Sequence, residues 1–159
     1  MRTVVKVTDK DNGAKAMIAR IRKGIPSGRV GVYGDLAAQK HKDSPRATVG
    51  QIAAAHEFGL GPPQRSWMRR TLTEHQDQIR RGLEKICVAS VTGEGDPVQM
   101  MQQLTFAAAG WCKETITRGI APALSAEYLK RKLARYPGAT TPLIASSQML
   151  GSITGEVEQ

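Results

Sequence analysis

His56-Glu57 is the pair in this 159-residue chain whose residue types could do chemistry. It has the opening of a zinc-hydrolase helix, in which a first His, a Glu base and a second His four residues on share one face. The position four residues after His56 is Leu60, and Gly59 is placed to end the helix in the left-handed conformation. A helix-end His and Glu bonded to backbone or to a neighbouring subunit is therefore the preferred reading, with a zinc hydrolase as a rival. His41 and His75 stand alone and are expected to be solvated. The glycines of 24–34 lie after a helix and around a strand, the wrong order for a phosphate loop. Ser146 and Ser147 lack a nucleophile elbow. Asp77 and Glu84 have cations at pairing distance, Arg81 and Arg80, which is surface patterning. No catalytic constellation, cofactor site or metal set emerges.

The second chemical signal is positive charge. The formal net charge is +9, which points to a polyanion or an acidic protein face as neighbour. Arg65, Arg69 and Arg70 sit together, Arg80, Arg81 and Lys85 follow, and Lys130, Arg131, Lys132 and Arg135 crowd a late segment. Such charges suffice for non-specific phosphate contact. They lie on separate elements, however, without aromatic residues interleaved for base stacking. Solvated or protein-facing charges are preferred. A basic nucleic-acid-binding module stays as the alternative, with Arg70, Lys130, Arg131 and Lys132 as its candidate contacts to DNA or to an acidic partner.

The elements that must position these residues follow from pattern. The length suits one domain over 1–159, and aromatic residues are only 4%, so Leu, Ile, Val, Met and Ala must fill the core. Strands are expected over 3–8, 29–33 and about 152–157, with Gly31 marking a bulge or a close approach. Helices are expected over 14–23, from Thr48 into 52–58, over 66–90 as one piece, from Pro97 to Arg118, over 126–135 and briefly over 146–150. Phe58 reads as an apolar anchor and Ser66 as an N-cap. Ala107 to Gly110 would let another helix come close. The polar stretch 34–47 reads as an exposed loop. Cys87 and Cys112 read as small buried thiols rather than a disulfide. No apolar leader core opens the chain, and no run approaches membrane-spanning length, so no membrane partner is expected. Between two helices, Gly61-Pro62-Pro63 forms a stiff, non-helical elbow. His56, Glu57, Phe58, Pro62, Pro63, Arg65, Trp67 and Arg69 are its candidate subunit-interface residues. The expected architecture is α+β, a small and mainly antiparallel sheet packed against three or four α-helices.

Four segments in order resemble the tail-component and virion-morphogenesis proteins of tailed bacteriophages, also called tail-completion or neck proteins. Val30-Gly31-Val32-Tyr33 is similar to the family's strand ending in Val-Gly-x-aromatic. Ala53-Ala54-Ala55-His56-Glu57-Phe58-Gly59 is similar to its helix end, and Pro63-Gln64-Arg65-Ser66-Trp67-Met68-Arg69 to its Pro-x-Arg-x-aromatic-hydrophobic-Arg segment. Pro142 to Ile153 resembles the closing Pro-Leu-Ile-Asp-Thr-Gly-x-Leu-x-x-Ser-Ile. Pro122-Ala123-Leu124, with Tyr128 and Lys132, resembles a further stretch. The likeness covers about 29–157. Three departures stand out: Ala145 replaces Asp, Ser147 replaces Gly, and Arg70 replaces a frequent Pro. If the missing Asp caps the short helix in relatives, Ser146 or Ser147 must substitute.

The resemblance implies a non-enzymatic virion protein of the head–tail junction or upper tail end (tail completion, neck or tail terminator). It implies no cofactor, assembly in the bacterial host cytoplasm, and a homo-oligomeric, commonly hexameric, ring. Partners would be copies of itself, other phage neck or tail proteins, and DNA passing through the channel.

Overall fold

The computed structural model describes residues 13–158. The strand expected over 3–8 lies outside the described residues. The architecture is α+β: eight helices and two small antiparallel sheets among the described residues. The count exceeds three or four because six helices of eight or more residues form, joined by two short ones of five and four residues.

α1 (Ala14–Lys23) ends at Gly24. β1 (Ser27–Gly31) pairs antiparallel with the terminal strand β4 (Thr154–Glu158), Ser27 opposite Glu158 and Gly31 opposite Thr154. These are the second and last of the strands expected from the sequence, β1 beginning two residues earlier than expected. Cross-strand contacts draw the ladder toward 27: Ser27 Oγ donates to Glu158 (3.1 Å), and Arg29 pairs with the directly opposed Glu156.

The stretch 34–47, expected as an exposed loop, has no buried residue but is not a loop, which is a correction. The chain instead forms α2 (Gly34–Ala38) and a hairpin of β2 (Lys40–His41) and β3 (Ser44–Thr48). Ala37 packs against Gly50, where an added Cβ would stand 2.9 Å from the Ala37 methyl. One small-residue contact thus fixes a stretch whose composition reads as polar loop.

α3 (Val49–Phe58) starts in a capping box: Thr48 Oγ1 accepts from Gln51 N, and Gln51 Oε1 accepts from Thr48 N. Beyond the elbow, the single helix expected over 66–90 is two, α4 (Trp67–Glu74) and α5 (Gln76–Thr92), interrupted at His75 (φ −112°, ψ 15°). His75 is not solvated. Its ring stacks on Trp111, centroids 4.4 Å apart and ring planes nearly parallel, and this contact holds the joint against α6 (Pro97–Arg118). Asp77 pairs with Arg80 rather than Arg81, and Arg80 also pairs with Glu84.

α6 is the central element. Asp96 Oδ1 caps it by accepting from Val98 N and Gln99 N, and Pro97 occupies its first turn. The 22-residue helix spans roughly 33 Å. The β1–β4 sheet lies on it so tightly that a Cβ at Gly155 would fall 2.4 Å from Thr105 O. The sheet thus approaches α6 closely at Thr105, and α5 does so where a Cβ at Gly82 would stand 3.0 Å from Leu104, while Gly110 has nothing within 4 Å. α7 (Ala126–Arg135) starts at Ser125, whose Oγ accepts from Tyr128 N. α8 (Gln148–Gly151) precedes β4. Its N-cap position is Ser147, but the Ser147 hydroxyl does not cap it, so the substitution expected for the missing Asp is not made there.

The core joins Val49 and Ala53 of α3, Trp67 of α4, Ala109, Cys112 and Ile116 of α6, then Ile120, Met149 and Ile153. Both cysteines are free, Cys112 buried and Cys87 half-buried.

Candidate functional site

The elbow is built from α3 upward. Gly59, at φ 72° and ψ 32°, ends α3 in the left-handed conformation, so Leu60 cannot continue the face that carries His56. The last-turn Glu57 then caps the next helix. Its Oε2 accepts from Met68 N (2.9 Å) and its Oε1 from Arg69 N (3.1 Å). A carboxylate on the free N–H groups of a helix start is held by both hydrogen bonding and the helix dipole. Ser66 occupies the N-cap position as expected, but its side chain does not cap the helix. Its hydroxyl donates to Glu57 O (3.0 Å) and accepts from Gln64 Nε2 (3.0 Å). Arg65 N donates to His56 O (2.7 Å), and Trp67 Nε1 to Ala53 O (3.2 Å). Two helices are thus stitched through one corner by side chains that never leave the chain.

Those contacts redistribute the expected interface residues. Glu57, Arg65 and Trp67 are buried within the chain, so they organise the elbow rather than present it. Phe58 is not a core anchor; it is 59% exposed. Pro63 and Arg69 are exposed, while Pro62 and His56 are half-buried. The outer surface of the elbow is therefore Phe58, Leu60, Pro63 and Arg69.

The candidate DNA or acidic-partner contacts also divide. Lys132 is buried, its Nζ donating to Thr141 O (2.5 Å), which removes it from any outer charged face. Arg70 donates to Glu74 (2.8 Å), and Arg131 lies 3.9 Å from Glu127. Lys130 is exposed.

Behind the elbow is a cavity of about 750 Å³, lined by residues from the elbow, the 122–125 segment, α7 and the 143–149 segment. Arg65 Nε donates to Pro122 O (2.9 Å) and its Nη2 to Ala123 O (3.3 Å). Lys132 and His56 line the same space. Burial pushes the Lys132 ammonium below its ordinary value, with the Arg65 charge adding to the shift, and burial lowers Arg65 as well. His56 is pushed down to about 4, first by burial and then by the charges of Arg65 and His41. It is neutral near pH 7, and its Nδ1 has no partner among the described residues. Asp43, at the same cavity, accepts from Tyr136 OH and pairs with Arg135 (3.1 Å).

Asp43, Thr141 and Leu143 belong to this site without any linear spacing to announce them. The only sequence pointer was that Pro122 and Pro142–Ile153 resemble segments of one family.

Burial pushes the Cys112 thiol up, away from thiolate character. Among the described residues no three or more His, Cys, Asp or Glu side chains gather as a metal set. No helix among them is long and apolar enough to cross a membrane. Comparison with protein-family models, with curated proteins and with solved structures finds no match to this chain.

Proposed function

We propose that this chain is a non-enzymatic structural subunit of a tailed phage, acting as a ring component at the head–tail junction or upper tail end. The carrying observation is α1. This amphipathic helix buries none of its ten residues, and Met17, Ile18 and Ile21 on it and Ile25 just beyond it are 44–56% exposed. A helix that leaves its apolar face open belongs to a larger assembly. α5 and α4 leave a second apolar surface, an open groove of about 630 Å³ that includes Leu72, Leu83 and Val88. Two different apolar faces suit head-to-tail contacts, which form a ring where the rotation between subunits closes. The ordered resemblance to tail-completion and neck proteins supports a position at the head–tail junction or upper tail end. Ser147 adds support. It stands where that family has glycine, and it adopts φ 58°, a conformation glycine reaches without strain.

The nucleic-acid alternative is weakened by the fate of its cations, since Lys132 and Arg65 point their charge into the chain's own loops. The test is genetic and physical together. Deleting the gene is expected to leave unjoined heads and tails or tails of wrong length. The wild-type chain rescues infectivity, and an Ile18→Asp/Ile21→Asp chain that keeps its far-UV spectrum does not. Normal infectious particles from the deletion would overturn the proposal.

A further inference from the structure

Arg65 and Lys132 are both more than nine-tenths buried, and both line the cavity behind the elbow. Neither has a carboxylate within ion-pair distance among the described residues; the acceptors they use are backbone carbonyls. A guanidinium carries five N–H groups and an ammonium three. Pro122, Pro63 and Ala123 take three from Arg65, and Thr141 takes one from Lys132. Each cation thus retains two N–H groups. Buried charge without a counter-charge is costly, and proteins normally pair it. A cost retained at one cavity implies a ligand that relieves it.

The rest of the cavity states what that ligand looks like. At about 750 Å³ it is far larger than an inorganic anion needs. Pro62, Pro122, Leu124, Leu143 and Ile144 give it an apolar wall. Asp43 lines it as well, which disfavours a head group with two negative charges. His56 supplies an uncharged polar atom, Nδ1, with no partner among the described residues.

We propose that this cavity binds a monoanionic carboxylate carried on an apolar body, with Arg65 and Lys132 holding the carboxylate and the proline-rich wall covering the rest. The chemistry is shared by a free medium-chain acid and by a Glu side chain set between apolar residues in a partner protein. The site is independent of the assembly role proposed above.

The test uses the full chain, uniformly labelled with nitrogen-15, and four probes: octanoate, octanamide, N-acetyl-Leu-Glu-Leu-amide and its Gln counterpart. Octanoate or the Glu peptide is expected to shift the Arg65 Nε–H and the backbone resonances of 122–125 and 141–147, while the amide and the Gln peptide do not. The tighter of the two carboxylates identifies the source. Lys132→Met keeps the apolar stem and is expected to weaken binding about tenfold, with Lys132→Arg restoring most of it. The comparison of carboxylate with amide on the unaltered chain stands even if a variant fails to fold. Equal shifts from acid and amide, no shift from either carboxylate, or saturation by inorganic phosphate alone would overturn the proposal.

Discussion

Between Ala53 and Trp67 the chain turns Glu57, Arg65 and Trp67 inward while Phe58 and Leu60 face out, whereas between Ala14 and Lys23 it buries no residue at all. Both regions are short helical segments with apolar residues at helical spacing. Their difference lies in what surrounds them. Trp67 and Glu57 find their partners in the two helices of the elbow and Arg65 finds its own in the 122–123 segment, with the core residues of α6 and α8 packed behind Trp67. α1 meets α5 only along one side, where Arg20 donates to Thr92 O (2.8 Å) and Val91 O (3.4 Å). An apolar periodicity therefore says that a face wants cover; the tertiary neighbours decide whether its own chain supplies it.

Truncation separates the two regions most strongly. Trp67 is 2% exposed within the core, and Trp67→Ala is expected to cost about 3–5 kcal/mol. Ile18 is 49% exposed, and Ile18→Ala should cost no more than about 0.5 kcal/mol in the dilute monomer. Urea denaturation of each variant at low protein concentration checks both values. If Ile18→Ala were as costly as Trp67→Ala, α1 would be held by its own chain and would not be an open face.

This contrast also marks what was legible in the sequence. Caps and stops with a local mechanism were readable: Thr48, Asp96, Ser125 and Gly59 each act on backbone within a few residues. The α+β class was readable from helical periodicity flanked by short strand-like stretches at 29–33 and 152–157. Burial of charge was not. Arg65 and Lys132 sit in runs of surface-like cations, and only contacts across long sequence separation, Arg65 to Pro122 for example, turn them inward. The same holds for His75, whose stacking partner Trp111 lies on another helix. Nor could Ser66 be distinguished from Glu57 as the cap of α4, because the true acceptor precedes the elbow and reaches back only once the corner has closed.

A smaller effect tests the burial of the elbow's His56 by pH. The folded ring titrates at about 4, against 6.5 for an ordinary histidine. Between those values the unfolded chain binds the proton and the folded chain does not, so stability falls as pH drops through this window. The effect is fully developed below about pH 4, and above about 6.5 it vanishes. Allowing for the ring's remaining contact with water, the loss is about 1–2 kcal/mol. Carboxylates titrate near the lower end of the same window, so the measurement is a difference. The stability of the wild type minus that of His56→Leu, by denaturant midpoint from pH 4 to 7.5, should decrease toward acid. A flat difference would mean that His56 is solvated in the folded chain, as the isolated histidines of this sequence were expected to be.

The smallest effect concerns the far wall of the elbow cavity, where two residues other than glycine hold left-handed backbone: Leu143 at φ 65° and Ser147 at φ 58°. The conformation costs a residue with a Cβ roughly 1–2 kcal/mol, and glycine returns about half of that through its freer unfolded chain. Ser147 is exposed and its hydroxyl caps nothing, while its backbone carbonyl still accepts from Gly151 N (2.9 Å). Ser147→Gly is therefore expected to stabilise by about 0.5–1 kcal/mol, raising Tm by about 1–4 °C. Leu143 has the same backbone problem and a different answer, because its side chain packs against the core cluster. Leu143→Gly relieves the strain but forfeits that packing, and should be destabilising overall. Opposite signs for the two glycines, read by thermal denaturation, locate the strain at the cavity wall. A destabilising Ser147→Gly would show instead that the serine contributes a contact beyond its backbone, and that the wall is held by side chains on both sides.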